Sequence, residues 1–216
     1  MTILEQLSNN KGTLSSALGK ALAQQILQES QLDILFECFD LVSYEAFSPA
    51  SRNIHSGAAK VVEIVAEQRP EWVAPHLYKL LPALSVQEPQ TRWAIIRVMG
   101  FCAHLNKPAA LAALPFAEKY INQKEGLCLA SSADLFLGDL GALSQEDAQE
   151  VFPLLEQSME NLLENEQDWL LEALYKLFQN LDQAGQSEVL KFAECWQYSS
   201  RKSTQQRARR ILGLKG

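Results

Sequence analysis

The sequence predicts an all-α fold, and within it a stacked array of antiparallel helix pairs. Three observations carry this. Apolar residues recur at helical spacing almost throughout. Val73, Leu77, Leu80, Leu81 and Leu84, for instance, have offsets of 4, 7, 8 and 11 and share one helical face. The alternation of Val, Ile and Thr that builds strands is nearly absent. Prolines and alanines also keep a common period: Pro75, Pro115 and Pro153 stand 40 and 38 residues apart, and Ala94, Ala133 and Ala173 stand 39 and 40 apart.

Taken in order, helices are expected over 13–29, 31–46, 50–68, 71–85, 89–105, 109–123, 126–141, 145–164, 167–183, 187–199 and 203–213. Their starts have local causes. Pro49, Pro70, Pro89 and Pro108 each stand where a first helical turn needs no N–H. Ser144-Gln-Glu-Asp147 has the form of a capping box. Gly126 and Gly185 mark breaks. The helices fall into pairs, with each marker alanine 18 to 20 residues after its proline. The whole chain, 1–216, is expected to be one repeat domain: an N-terminal helical cap over 1–30, then units near 31–69, 70–106, 107–143, 144–184 and 185–216. A single helix pair cannot bury its apolar face alone, so stacked neighbours make the core and small alanines let the layers approach.

A period of about 40 residues, with two helices per unit, a proline in the first helix and a small residue in the second, resembles HEAT and armadillo repeats. The segment Thr91-Arg-Trp-Ala-Ile-Ile-Arg-Val-Met-Gly100 matches the family's second-helix pattern of Arg, Ala, a large aliphatic residue and Gly. Glu88 stands where the family places a turn Asp that pairs with an Arg. The tetratricopeptide alternative has a shorter period, and its Trp-Leu-Gly-Tyr pattern is absent. The resemblance implies a right-handed α-α superhelix, a helical solenoid that binds along a concave face lined by the second helices.

An apolar fraction of 47% with 21% charged residues is that of a folded chain with a sizeable core. No apolar run approaches a membrane span, and 1–10 lacks the basic-then-apolar order of a signal peptide, so a cytoplasmic protein is expected. The formal charge of −7 is uneven. Six basic and no acidic residues follow position 200, which leaves residues 1–200 at −13. Such an acidic body argues against wrapping nucleic acid and suggests a partner of basic character. Cys38, Cys102, Cys128 and Cys195 lie far apart and are expected as buried reduced thiols.

Candidate binding residues come from the least apolar faces of the second helices. Trp93, Arg97, Gly100 and His104 share such a face, with Ser56, Lys60, Glu63 and Glu67 before it and Glu172, Lys176, Gln179 and Gln183 later. Lys60, Arg97 and Lys176 form a basic ladder that Phe136 interrupts, and it reads either as a contact for acidic or backbone groups or as a solvated face. Trp93 beside it is an aromatic anchor or a packing residue between repeats. Trp72, Trp169 and Trp196 are expected in packing roles.

His55, His76 and His104 form no ligand-spaced cluster, and Cys102 and His104 fall on different sides of a helix, so neither metal nor cofactor is expected. No nucleophile elbow is present. The glycines of 12–20 lack the spacing, the Ser/Thr and the strand of a phosphate loop. Asp134/Asp139 and Glu164/Glu166/Asp168 are acid–base candidates only if buried, and are otherwise helix-end and surface charges. The basic segment with Arg207, Arg209 and Arg210 either caps the array or binds an anion, and the cap is favoured. The function expected is a non-enzymatic scaffold for another protein or peptide, with nucleic acid and membrane disfavoured. The alternative is an enzyme similar to alkylpurine DNA glycosylases, which would draw on Trp93, Arg97, Trp169 and Asp168.

Overall fold

A computed structural model describes residues 3–8, 15–43 and 51–214. Pro49 and parts of the segments at 12–20 and 31–46 lie outside them. Helices pack on helices, and no strand occurs among the described residues. The chain forms two compact units, Met1–Ala113 and Leu114–Gly216.

The first unit holds α1 (Ile3–Ser8), α2 (Ser15–Glu29), α3 (Leu32–Leu41), α4 (Ser51–Gln68), α5 (Pro70–Val73), α6 (Leu77–Leu80), α7 (Pro89–Cys102) and α8 (Lys107–Leu111). Its centre is α4, which packs against α1, α2, α3 and α7. Ala58, Ala59, Val61, Val62, Val65 and Ala66 of α4 are all fully buried. Small residues set the spacing here: a Cβ on Gly19 would lie 3.2 Å from the Gly57 carbonyl oxygen.

The single helix expected over 71–85 is instead broken into α5, a 3₁₀ turn at Ala74–His76, α6 and a second 3₁₀ stretch at Leu81–Ser85. The cause is chemical. Pro75 and Pro82 donate no amide hydrogen, and each ring displaces the preceding turn. The apolar face survives the break, because Val73, Leu77, Leu80 and Leu84 remain buried. The expected helix at 109–123 likewise divides into α8 and a second helix that opens at Leu114-Pro115.

The second unit holds α9 (Leu114–Gln123), α10 (Leu127–Gly141), α11 (Gln145–Glu160), α12 (Gln167–Leu177), α13 (Gln183–Trp196) and α14 (Lys202–Leu212). Here α10 packs against α9, α11 and α12, and α14 packs against α12 and α13. The approach of α10 to α12 is so close that a Cβ on Gly138 would fall 2.6 Å from Ala173 Cα. Ala173, one of the period markers, therefore sits at a helix contact that tolerates nothing larger.

The starts follow side-chain chemistry. Ser144 Oγ accepts from the Asp147 amide at 3.1 Å, and Asn106 Oδ1 accepts from Ala109 at 3.4 Å. Gly126 has φ of +141°, a left-handed conformation that suits glycine, and α10 begins at the next residue. Gly185 does not mark a break. It is buried in the first turn of α13, where Asp182 Oδ1 accepts its amide at 2.8 Å.

Candidate functional site at the N-terminal ends of α4 and α7

The N-terminal ends of α4 and α7 are held together by His55 Nδ1 and Glu88 Oε2, which lie 3.0 Å apart. Arg52, Glu88, Pro89, Gln90 and Trp93 line a cavity of about 370 Å³ there. Proline at the first position of α7 sets the chain's entry, and one turn later Trp93 supplies a half-buried aromatic wall. Burial works to raise the Glu88 carboxyl pKa. The His55 hydrogen bond, the Glu88 backbone amide and the charges of His55 and Arg52 outweigh it and hold the group below the usual carboxylate range. The cavity therefore presents an ionised carboxylate beside an indole ring.

The other expected binding residues occupy different settings. Arg97 is buried, with its guanidinium 4.5 Å from the Phe101 ring centroid. Lys60 is half-buried and bridges to Glu63 at 2.7 Å, and its Cβ would lie 3.1 Å from a Cβ on Gly19. His104 is exposed in the turn after α7. In the second unit, Lys176 of α12 is ion-paired with Asp139 of α10. Phe136, which interrupts the ladder in sequence, is fully buried. Both lysines of the ladder thus have acidic partners.

The tryptophans also separate. Trp72 lies under Arg69 at 4.1 Å, and Trp196 meets Phe192 edge-on. Trp169 is 42% exposed at the start of α12, with Arg207 5.8 Å from its ring.

The basic segment is turned toward α12. Asp168 accepts from Arg201 Nη2 at 3.1 Å, from Ser203 Oγ at 2.8 Å and from Thr204 Oγ1. Glu172 bridges to Arg207 at 3.4 Å and to Arg210 at 2.9 Å. Arg210 also stacks 3.4 Å from the Tyr175 ring centroid. These contacts give α14 the character of a cap on α12, while Lys202 and Arg209 remain exposed.

Two expectations need correction. Cys38 and Cys102 are buried, and burial first, then Glu37 and Glu71 respectively, pushes each thiol up to about 12. Cys128 and Cys195, however, are exposed, because they fall on the outer faces of α10 and α13. Nor are the acidic residues around positions 134 and 166 surface charges. Asp134 and Glu166 are fully buried and Asp168 nearly so, whereas Glu164 is exposed. A signal for Asp134 was present in the sequence: it shares the helical face of Ala130, Leu137 and Gly141 in an otherwise apolar run.

Among the described residues no group of three or more His, Cys, Asp or Glu could hold a metal ion, and no helix is long and apolar enough to cross a membrane. No protein-family model matches the chain, and no curated protein does either. The solved structures it is similar to include three crystal structures of engineered proteins. The first has TM-score 0.70 and 16% identity, covering 97% of this chain and 96% of that one. The second has TM-score 0.64 and 12% identity, covering 97% of this chain and 56% of that one. The third also has TM-score 0.64 and 12% identity, with coverage of 97% and 94%. At such identities the likeness shows the all-helical fold alone.

Proposed function

We propose that the protein is a non-enzymatic, cytoplasmic scaffold of HEAT type, which grips a protein or peptide of basic character. The observation that carries this is the cavity at the N-terminal ends of α4 and α7. An ionised Glu88 beside the Trp93 ring suits a lysine or arginine side chain, whose stem packs on the indole while its head meets the carboxylate. Arg52 stands at the exposed rim of the cavity. The acidic body supports the same polarity, since opposite charge speeds encounter with a basic partner. The HEAT reading is supported by the recurring proline and alanine markers and by the Gly138–Ala173 approach.

The test is a calorimetric titration with an oligo-lysine peptide, using an oligo-glutamate peptide as control. Saturable binding of the basic peptide, weakened at least tenfold in both Trp93→Ala and Glu88→Gln while each variant keeps the helical content of wild type, is expected. Equal binding by wild type and both variants would remove the cavity from the function. Preference for the acidic peptide would reverse the assigned polarity.

A further inference from the structure

The second unit encloses a group of polar side chains that the proposed scaffold function does not use. Asp134 comes from α10, Ser158 from α11, Lys124 from the turn after α9, and Glu166 from the residue preceding α12. Asp134, Ser158 and Glu166 are wholly inaccessible to solvent, and the Lys124 side chain is only 17% exposed. Lys124 takes a left-handed backbone conformation, with φ of +47°, and reaches Glu166 from it.

The hydrogen-bond donors can be matched to the four carboxylate oxygens. Glu166 Oε1 accepts from Lys124 Nζ at 2.7 Å, and Glu166 Oε2 accepts from the Leu163 amide at 2.6 Å. Asp134 Oδ1 accepts from Ser158 Oγ at 2.7 Å. The fourth oxygen, Asp134 Oδ2, is buried and faces no donor, and the remaining neighbour of Asp134 is the Glu166 carboxylate itself. As two carboxylates the pair would place two negative charges against one ammonium in a dry site. That leaves one charge uncompensated and one acceptor orphaned.

A single added proton removes both faults. On Asp134 Oδ2 it turns the orphaned acceptor into a donor toward the Glu166 carboxylate, and it brings the site to neutrality with Lys124. We propose that Asp134 and Glu166 hold one proton between them at neutral pH, carried on Asp134, so that folding of the second unit takes up a proton. Burial, then the negative charge of Glu166, raise the Asp134 pKa, and the Ser158 hydrogen bond and the Lys124 charge oppose them without prevailing. The charged groups that act on Asp134 are Glu166 from α12's start and Lys124 from the end of α9, while α11 contributes the uncharged Ser158. The three helices packed on α10 thus meet at a carboxylic acid, and their packing responds to pH.

The experiment is carboxyl-carbon NMR of the full chain labelled at the aspartate Cγ. One resonance is expected to keep the shift of a protonated acid at pH 7, where the other aspartates have become carboxylates, and to disappear in Asp134→Asn. Glu166→Gln leaves Asp134 as the sole counter-ion of Lys124, so that resonance is expected to titrate at lower pH in this variant. Carboxylate shifts for every aspartate of the wild type at pH 7 would overturn the proposal, and this reading needs no variant. An unchanged titration in Glu166→Gln would overturn the sharing.

Discussion

Asp168 shows how much one side chain can organise. It closes three donors from the start of α14 (Arg201, Ser203 and Thr204) onto α12 while nearly buried. Asp168→Ala is expected to cost about 3 kcal/mol in urea unfolding, since it strands the buried Thr204 hydroxyl and releases Arg201 and Ser203. Asp134 makes the opposite prediction. Its folded pKa lies above the unfolded one, so its contribution is fully present below the unfolded value and is lost as pH rises through the folded one. Asp134→Asn, which keeps the neutral form, should therefore show a flatter fall in unfolding midpoint than wild type as pH rises above the ordinary carboxylate range. Residue roles were the least legible part of the sequence. Trp93 stood out as an anchor, but its partner Glu88 read only as a turn acid, because the His55 contact spans 33 residues. The partner of Lys60 was legible, since Glu63 stands three residues on along the same helix, whereas that of Lys176 was not, because Asp139 lies 37 residues away on α10.

At the scale of elements the sequence was far more informative, because helix starts are written in local chemistry. Pro70, Pro89, Ser144 and Gly126 fall where α5, α7, α11 and α10 begin, each for a reason contained within four residues. The failures have equally local causes. Pro75 and Pro82 divide the stretch after α5, yet Pro153 is accommodated inside α11, so the same residue type at the same repeat position has different outcomes. After Pro75 a second proline seven residues on confines α6 to Leu77–Leu80. Between elements, the α10–α12 contact is the most constrained. Gly138→Ala places a methyl against the Ala173 backbone and should destabilise by about 2 kcal/mol or more on thermal or urea unfolding. Gly57→Ala meets the Leu7 side-chain tip rather than backbone, and should cost less than Gly138→Ala in the same measurement, about 1 kcal/mol.

At the scale of the molecule, the all-helical class follows from periodicity alone, and the likeness to engineered proteins at 12–16% identity agrees with it. Function is carried by a different kind of information: which charges the fold leaves lining a cavity. Glu172 and Asp168 consume three arginines of the basic segment, whereas Glu88, held by His55, stays ionised at the wall of a cavity beside an indole. Binding of a basic partner there should weaken as ionic strength rises, since a rim ion pair is screened while the indole contact is not. The most direct test of the scaffold reading is a nuclease-treated pull-down from native lysate, comparing wild type with Trp93→Ala/Glu88→Gln. A specific protein that survives nuclease, binds wild type and is lost from the double variant is the predicted result. Recovery of nucleic acid, or the same proteins on both baits, would contradict it.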